Sequence, residues 1–166
     1  MEVLVTPVEQ LAALLRERGW MLATAESCTG GLVAGACTEL SGSSDWFDRG
    51  FVSYSNAAKT EMLGVDAALI AAHGAVSEPV ARALAVGAVQ RSKAQVGVGI
   101  TGIAGPTGGS PEKPVGLVWF GFSVDGQLSS EMRRFGGDRA AVRAAAVRHA
   151  LEGLIARIAP GGKTSP

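Results

Sequence analysis

Histidine is nearly missing from this chain: His73 and His149 are the two present among 166 residues. One falls at the end of a short helical stretch and the other on the last helix. Neither has a convincing partner, which disfavours a Ser-His-Asp triad. No His/Cys/Asp cluster carries metal-ligand spacing, so no metal is expected. Cysteine is as scarce, with Cys28 and Cys37 too close together in a helical stretch to act as a staple. Neither sign of charge is in surplus, 15 basic side chains standing against 15 acidic. A broad positive field for nucleic acid or an anionic membrane is therefore lacking. A small anionic ligand held by backbone amides needs no such field. No apolar run approaches the roughly 20 residues of a membrane span, and the N-terminus lacks a signal-peptide layout. The expectation is a cytoplasmic protein whose partners include neither nucleic acid nor membrane.

Aromatic residues are few: three Trp, one Tyr and five Phe. Glycine is plentiful at 23, and apolar residues make up 47% of the chain. That composition supports one sizeable core with tight turns and close backbone approaches. We expect a single domain over 1–166, its core at about 7–158 and a frayed tail at 160–166.

Thr6-Pro7-Val8-Glu9 reads as a helix start, with Thr6 capping and Pro7 at the first helical position. Val8, Leu11, Ala12 and Leu15 keep helical spacing to a stop at Gly19. A strand at 20–25, a helix from Gly31 to about Leu40 and a strand at 47–55 follow. Asn56 is read as capping a helix to Leu63, and a short helix covers 66–73. Ser77 opens a longer helix to about Ser92, and 95–101 is a strand apolar enough to be central. The runs 117–124 and 127–135 pair through Asp125-Gly126, a hairpin signal. Asp138 caps a final helix striped by Val147, Leu151, Leu154, Ile155 and Ile158. This order implies a three-layer α/β/α domain on a mixed, mostly parallel sheet with a late β-hairpin.

Ligands in such sheets bind beyond the carboxyl ends of the parallel strands. Three polar segments fall there. Glu26-Ser27-Cys28-Thr29-Gly30-Gly31 sets a serine between a strand and a helix N-terminus, although Ser27 or Thr29 serves equally as a simple cap. Tyr54-Ser55-Asn56-Ala57-Ala58-Lys59 places Asn56 and Lys59 on one helix face. A sequestered lysine can lose its charge and act as a base, whereas most lysines on short helices are merely solvated. The stretch from Gly102 to Pro114 has no periodicity, as expected of a ligand-cradling loop. Gly97-Val98-Gly99-Ile100-Thr101-Gly102 matches GxGxxG but leads into a proline-rich loop rather than a helix, so a Rossmann oxidoreductase is disfavoured. Gly162-Lys163-Thr164 resembles a P-loop ending, but Arg157 stands where the first glycine belongs. If the chain is a hydrolase, serine with lysine is the available pair, with Cys28 a rival nucleophile.

Taken together, several blocks resemble the C-terminal domain of the competence/damage-inducible protein A family. They are Thr24 to Gly31, Gly42-Ser43-Ser44, Phe51 to Lys59, His73 to Pro79, Thr101 to Pro106, Lys113 to Gly116, and Gly136 to Arg139. The match runs in order from about residue 7 to 158. That family is similar to the nicotinamide-nucleotide amidohydrolases. The resemblance implies hydrolysis of the carboxamide of nicotinamide mononucleotide to nicotinate mononucleotide and ammonia, in pyridine nucleotide salvage, without a cofactor. It also implies a Ser/Lys mechanism. Longer relatives carry an N-terminal pyrophosphatase-like domain with no counterpart in this sequence, and that activity is not carried over.

Lys59 is the matching lysine and the expected base. Ser27 and Ser44 both sit in matched blocks. Eight extended residues between Ser44 and Lys59 span about 26 Å at roughly 3.3 Å each, so those two meet only through a bend or a neighbouring chain. Geometry favours Ser27 and keeps Ser44 as the alternative. Amides around Cys28, Thr29 and Gly30, or that of Gly102, are the expected oxyanion donors. Tyr54 or Thr101 would relay a proton or orient the amide. The loop with Gly102, Ala104 and Gly105, together with Asn56 and Arg49, would hold the ribose phosphate. The rival reading is a nucleotide-binding or interaction module without catalysis. A homodimer is the expected assembly.

Overall fold

The computed structural model describes residues 2–160, with side chains from residue 7 onward. Residues 161–166, most of the tail expected to fray, and the P-loop-like triplet within them lie outside the described residues.

The first helix, α1, runs Glu2–Arg18, with Pro7 inside it. The expected start at Thr6-Pro7 is therefore corrected. Capping chemistry is a local preference, and a proline near a helix N-terminus removes one amide bond without stopping the helix. Strand β1 covers Leu22–Glu26, and α2 covers Leu32–Thr38. A single 3-10 turn, Ser43–Asp45, leads into β2 at Phe47–Val52, which stops short of the expected Ser55. Helix α3 spans Asn56–Leu63, and its cap is Ser55, whose Oγ accepts from Ala58 N at 3.0 Å. Asn56, expected as that cap, is instead the first helical residue. Helices α4 (Ala67–His73) and α5 (Glu78–Gln90) precede β3 at Val96–Gly102. Strands β4 (Leu117–Val124) and β5 (Gln127–Arg134) form the hairpin, with Asp125 and Gly126 both at positive φ in its turn. Helix α6, Arg139–Ile158, starts from Asp138, whose Oδ1 accepts from Ala141 N at 2.9 Å.

The sheet has the order β2-β1-β3-β4-β5. Its β1/β2 and β1/β3 ladders are parallel, and its β3/β4 and β4/β5 ladders are antiparallel. Period-2 alternation divides the strands between two cores. Leu22, Val98, Ile100, Phe120 and Phe122 pack with α1, α2 and α6. Ala23 and Ala25 face the other way, toward Leu63, Val80, Leu84 and Ala88 of α3 and α5. The result is the three-layer α/β/α arrangement.

The GxGxxG string has a packing role in this arrangement. Gly97 and Gly99 lie one pleat apart on β3, and Gly99 is the register partner of Gly121 on β4. A Cβ built at Gly99 would stand 2.6 Å from Ala81 O and 2.7 Å from Leu84 Cβ, both on α5. The missing side chains let the α5 backbone lie directly on the sheet. Gly99→Val is expected to cost about 3 kcal/mol or more, because backbone cannot yield as a side chain can. Thermal melts read this against Gly35→Ala. Gly35 is an exposed α2 position with nothing near its Cβ, and alanine there should stabilise by roughly 0.5–1 kcal/mol. Equal melting temperatures for the two variants would contradict the close packing.

A buried polar group was not foreseen from the sequence. His149 Nε2 lies 3.2 Å from Glu131 Oε1, and Arg157 Nε donates to Ser129 Oγ at 2.7 Å. The Arg157 guanidinium also lies over the Phe122 ring at 3.9 Å. His149 thus does have a partner, but the nearby serine hydroxyl is held by arginine, and burial pushes the imidazole pKa down.

Candidate active site

The three parallel strands end side by side, with Glu26 in register with Val52 on one flank and Ile100 on the other. The chain leaves β1 at Ser27, whose N–H donates to Ile100 O at 3.1 Å. It leaves β2 at Ser53, whose N–H donates to Glu26 O at 2.9 Å. Two turns that are far apart in sequence therefore face each other across one sheet edge.

Lys59, on the first turn of α3, points back into this gap and is 1% exposed. Its Nζ lies 3.2 Å from Ser27 Oγ, 3.1 Å from Ser53 O and 3.0 Å from Tyr54 O. No carboxylate is among these contacts, and burial lowers the amine's pKa from its ordinary 10.5. The two carbonyls orient the amine, and the third contact is a hydroxyl that can either accept or donate. Around the pair is a cavity of about 220 Å³, lined among others by Cys28, Tyr54, Asn56, Thr101, Gly102 and Ala104.

Glu26, which sequence reading did not single out, fixes the turn that carries Ser27. Its carboxylate is 1% exposed and accepts from Gly31 N at 3.2 Å, Val33 N at 2.9 Å and Ala34 N at 3.0 Å. A buried carboxylate on helix amides is the pairing that the helix dipole favours. The positive end of α2 is thus already filled by the protein's own anion. Gly30 N is bonded to Ser27 O at 3.0 Å, so the expected set of oxyanion donors narrows to the amides of Cys28, Thr29 and Gly102.

Thr101 is 1% exposed, and its hydroxyl donates to Ala75 O at 2.9 Å. It therefore presents an acceptor to the cavity. Cys28 lines the cavity, but burial raises its thiol pKa to about 11, which makes it a poor nucleophile. Thr29 is fully buried, and its carbonyl accepts from Arg143 at 3.4 Å. Gly105 contributes its carbonyl, which accepts from Arg139 Nη1 at 2.8 Å.

Of the residues named from sequence, Thr29, Gly30 and Gly105 lie close in the chain to lining residues without lining the cavity, and Ser44 and Arg49 are not brought to this place. Ser44 is exposed in the turn before β2, at the opposite end of the sheet. The length of β2, with a one-residue register shift at Asp48, separates it from Lys59. Arg49 pairs in register with Ala23, near the start of β1, and its Nε donates to Asp48 Oδ2 at 2.8 Å.

Sequence reading also missed Arg139, Ala75 and Val76 as lining residues. Arg139 had a detectable signal. A cation on the first turn of a helix opposes the dipole, so its presence there asks for another purpose. Its Nη2 lies 3.4 Å from Tyr54 Oη, and with Ala104 it also borders an adjoining hollow of about 480 Å³. Ala75 and Val76 offered no such signal, being small apolar residues in a connection.

Among the described residues, no three His, Cys, Asp or Glu side chains are grouped as metal ligands, and no helix is long and apolar enough to cross a membrane.

Comparison with known proteins gives a consistent picture. The model of the CinA C-terminal domain matches residues 5–158. A nicotinamide-nucleotide amidohydrolase PncC of Enterobacter agglomerans is 52% identical over 144 residues, covering 86% of this chain and 88% of that protein. The protein of the same name from Escherichia coli K12 is 52% identical over 147 residues, covering 88% and 89%. The crystal structure of a competence/damage inducible protein from Agrobacterium tumefaciens superposes with a TM-score of 0.85 at 48% identity, covering 90% of this chain and 94% of that one.

Proposed function

We propose that this chain, which belongs to the CinA C-terminal domain family, hydrolyses the carboxamide of nicotinamide mononucleotide to nicotinate mononucleotide and ammonia. The observation that carries the reading is the buried Lys59 amine 3.2 Å from Ser27 Oγ, with two backbone carbonyls as its other partners. The similarity to nicotinamide-nucleotide amidohydrolases supports the substrate.

In the neutral amine, two N–H bonds point at Ser53 O and Tyr54 O, which leaves the lone pair facing Ser27. Lys59 takes the hydroxyl proton as Ser27 Oγ attacks the amide carbon. The oxyanion is met by the amides of Cys28, Thr29 or Gly102. Thr101 accepts from the carboxamide NH₂ and turns it toward Lys59. The C–N bond breaks, the Lys59 proton leaves with ammonia, and an acyl-enzyme remains on Ser27. Water then gives its proton to Lys59, attacks the acyl carbon and releases the nicotinate nucleotide, while the proton returns to Ser27. No step needs a metal.

The phosphate is assigned to Arg139, whose guanidinium borders both the cavity and the adjoining hollow. Arg139→Ala should raise KM for the mononucleotide by about ten- to a hundredfold, the worth of a charge-assisted phosphate contact. It should leave the riboside, which has no phosphate, nearly unchanged. Equal losses on both substrates would remove this assignment.

The decisive test is ammonia release from nicotinamide mononucleotide by folded wild-type protein in EDTA. Absence of release would leave a binding module. As the resemblance implies, we place the reaction in pyridine nucleotide salvage and expect a dimer, which sedimentation would measure; the sparse cysteines and the N-terminal layout support a cytoplasmic setting.

A further inference from the structure

The loop that brings Gly102 and Ala104 to the cavity continues to Gly116 without helix or strand, and its tip at 106–112 is exposed. Side chains tie it down at two points. From α6, Arg139 holds Gly105 O at 2.8 Å. The other tie comes from the loop itself: the Lys113 ammonium donates to His73 O at 2.6 Å, across 40 residues of chain.

His73 is the last residue of α4. Its carbonyl belongs to the helix end whose acceptors lack internal partners and where the dipole favours a cation. The fit is close, because a Cβ at Gly74 would come within 2.7 Å of the Lys113 amine. Next in the chain are Ala75 and Val76, which also line the cavity. Ala75 O is also the acceptor for Thr101 Oγ1 at 2.9 Å. Lys113 has a braced backbone, since Ser110 N donates to its carbonyl at 2.9 Å and its own N–H donates to Ser110 Oγ at 3.1 Å. One lysine therefore joins the loop wall to the wall made by the α4–α5 connection.

We propose that Lys113 is a positioning residue for nucleotide binding. By tying the 103–116 loop to the end of α4, it holds the two walls of the cavity mouth at their working separation. It touches no reacting atom, so its removal acts on affinity rather than on chemistry. The inference rests on the amidohydrolase reading for its kinetic consequence but not for the tie itself.

The experiment compares wild type, Lys113→Met and Lys113→Arg by amide hydrogen exchange and by steady-state kinetics on nicotinamide mononucleotide, with melting temperatures as the check on folding. In Lys113→Met, the hydrogen-bonded amides of Ile103, Ser110 and Gly74 should exchange about tenfold faster. KM should rise about tenfold while kcat stays within about twofold. Lys113→Arg, which keeps a charged donor, should recover most of both. Unchanged exchange in the methionine variant overturns the proposal, as does faster exchange with an unchanged KM, or an arginine variant no better than methionine. If wild type releases no ammonia, the amidohydrolase reading fails separately. The exchange arm then decides the tie, faster exchange upholding it and unchanged exchange ending it.

Discussion

Lys59→Met is expected to lower kcat/KM for ammonia release by about two to four orders of magnitude, the usual worth of a positioned general base. Methionine is chosen because it fills nearly the same volume without a proton acceptor. Its apolar end also suits a site that is 1% exposed. The variant should therefore melt no lower than wild type. The pH dependence supplies a second signature. Burial lowers the Lys59 pKa below the 10.5 of the unfolded chain, so between those two values the unfolded state binds more protons than the folded one. Wild-type stability contributed by this group thus rises with pH across that window. Below the folded pKa, both states are protonated and the full penalty of the buried charge is present. The methionine variant lacks this slope. In the proposed mechanism the neutral amine is the active form, so wild-type kcat/KM should climb through the folded pKa, a limb that lies below 10.5. A Lys59→Met enzyme with full activity would remove Lys59 from the mechanism altogether.

Ser27→Ala is expected to lose about four orders of magnitude or more, since no nucleophile remains to form the acyl-enzyme. Ser44→Ala, at an exposed turn on the far end of β2, should stay within about twofold of wild type, as surface substitutions do. The two variants are measured side by side by ammonia release. A stoichiometric burst in wild type that Ser27→Ala lacks would report the acyl intermediate. The reverse pattern, with Ser44→Ala silent and Ser27→Ala active, would require a neighbouring chain to carry Ser44 to Lys59.

Much of this architecture was legible before any coordinates. The Asp125-Gly126 hairpin, the Asp138 cap and the end of α3 at Leu63 are short-range chemistry that tertiary packing left intact. The stripe Val147, Leu151, Leu154 and Ile158 is buried on α6, because helical periodicity reports which face must leave water. The misreadings were local in the same sense. Thr6-Pro7 carries the grammar of a helix start, yet the helix begins at Glu2. Asn56 and Ser55 are both good caps by type, and only the backbone conformation at Ser55 made it the one that accepts from Ala58.

The strand-end rule pointed to three segments, and residues of all three line one cavity, since β-strand pattern and order were enough to predict where a parallel sheet leaves open turns. They could not say which side chains meet there. Ser27 and Lys59 are 32 residues apart, and their meeting follows from β1 and β2 lying side by side in parallel, a pairing that no local window encodes. The same holds for Glu26, a carboxylate whose partners lie on the following helix, and for Arg139, delivered by α6 to a cavity built mostly from residues before 105. Sequence context was enough to set aside the GxGxxG match at Gly97 and Gly99, but only the structure gives these glycines and Gly121 their role, with the α5 backbone lying on them. Periodicity and turn chemistry act over a few residues and so specify which elements form and which faces are buried. The pairing of distant functional groups depends on sheet order and close packing, which are decided only when the whole chain closes on itself.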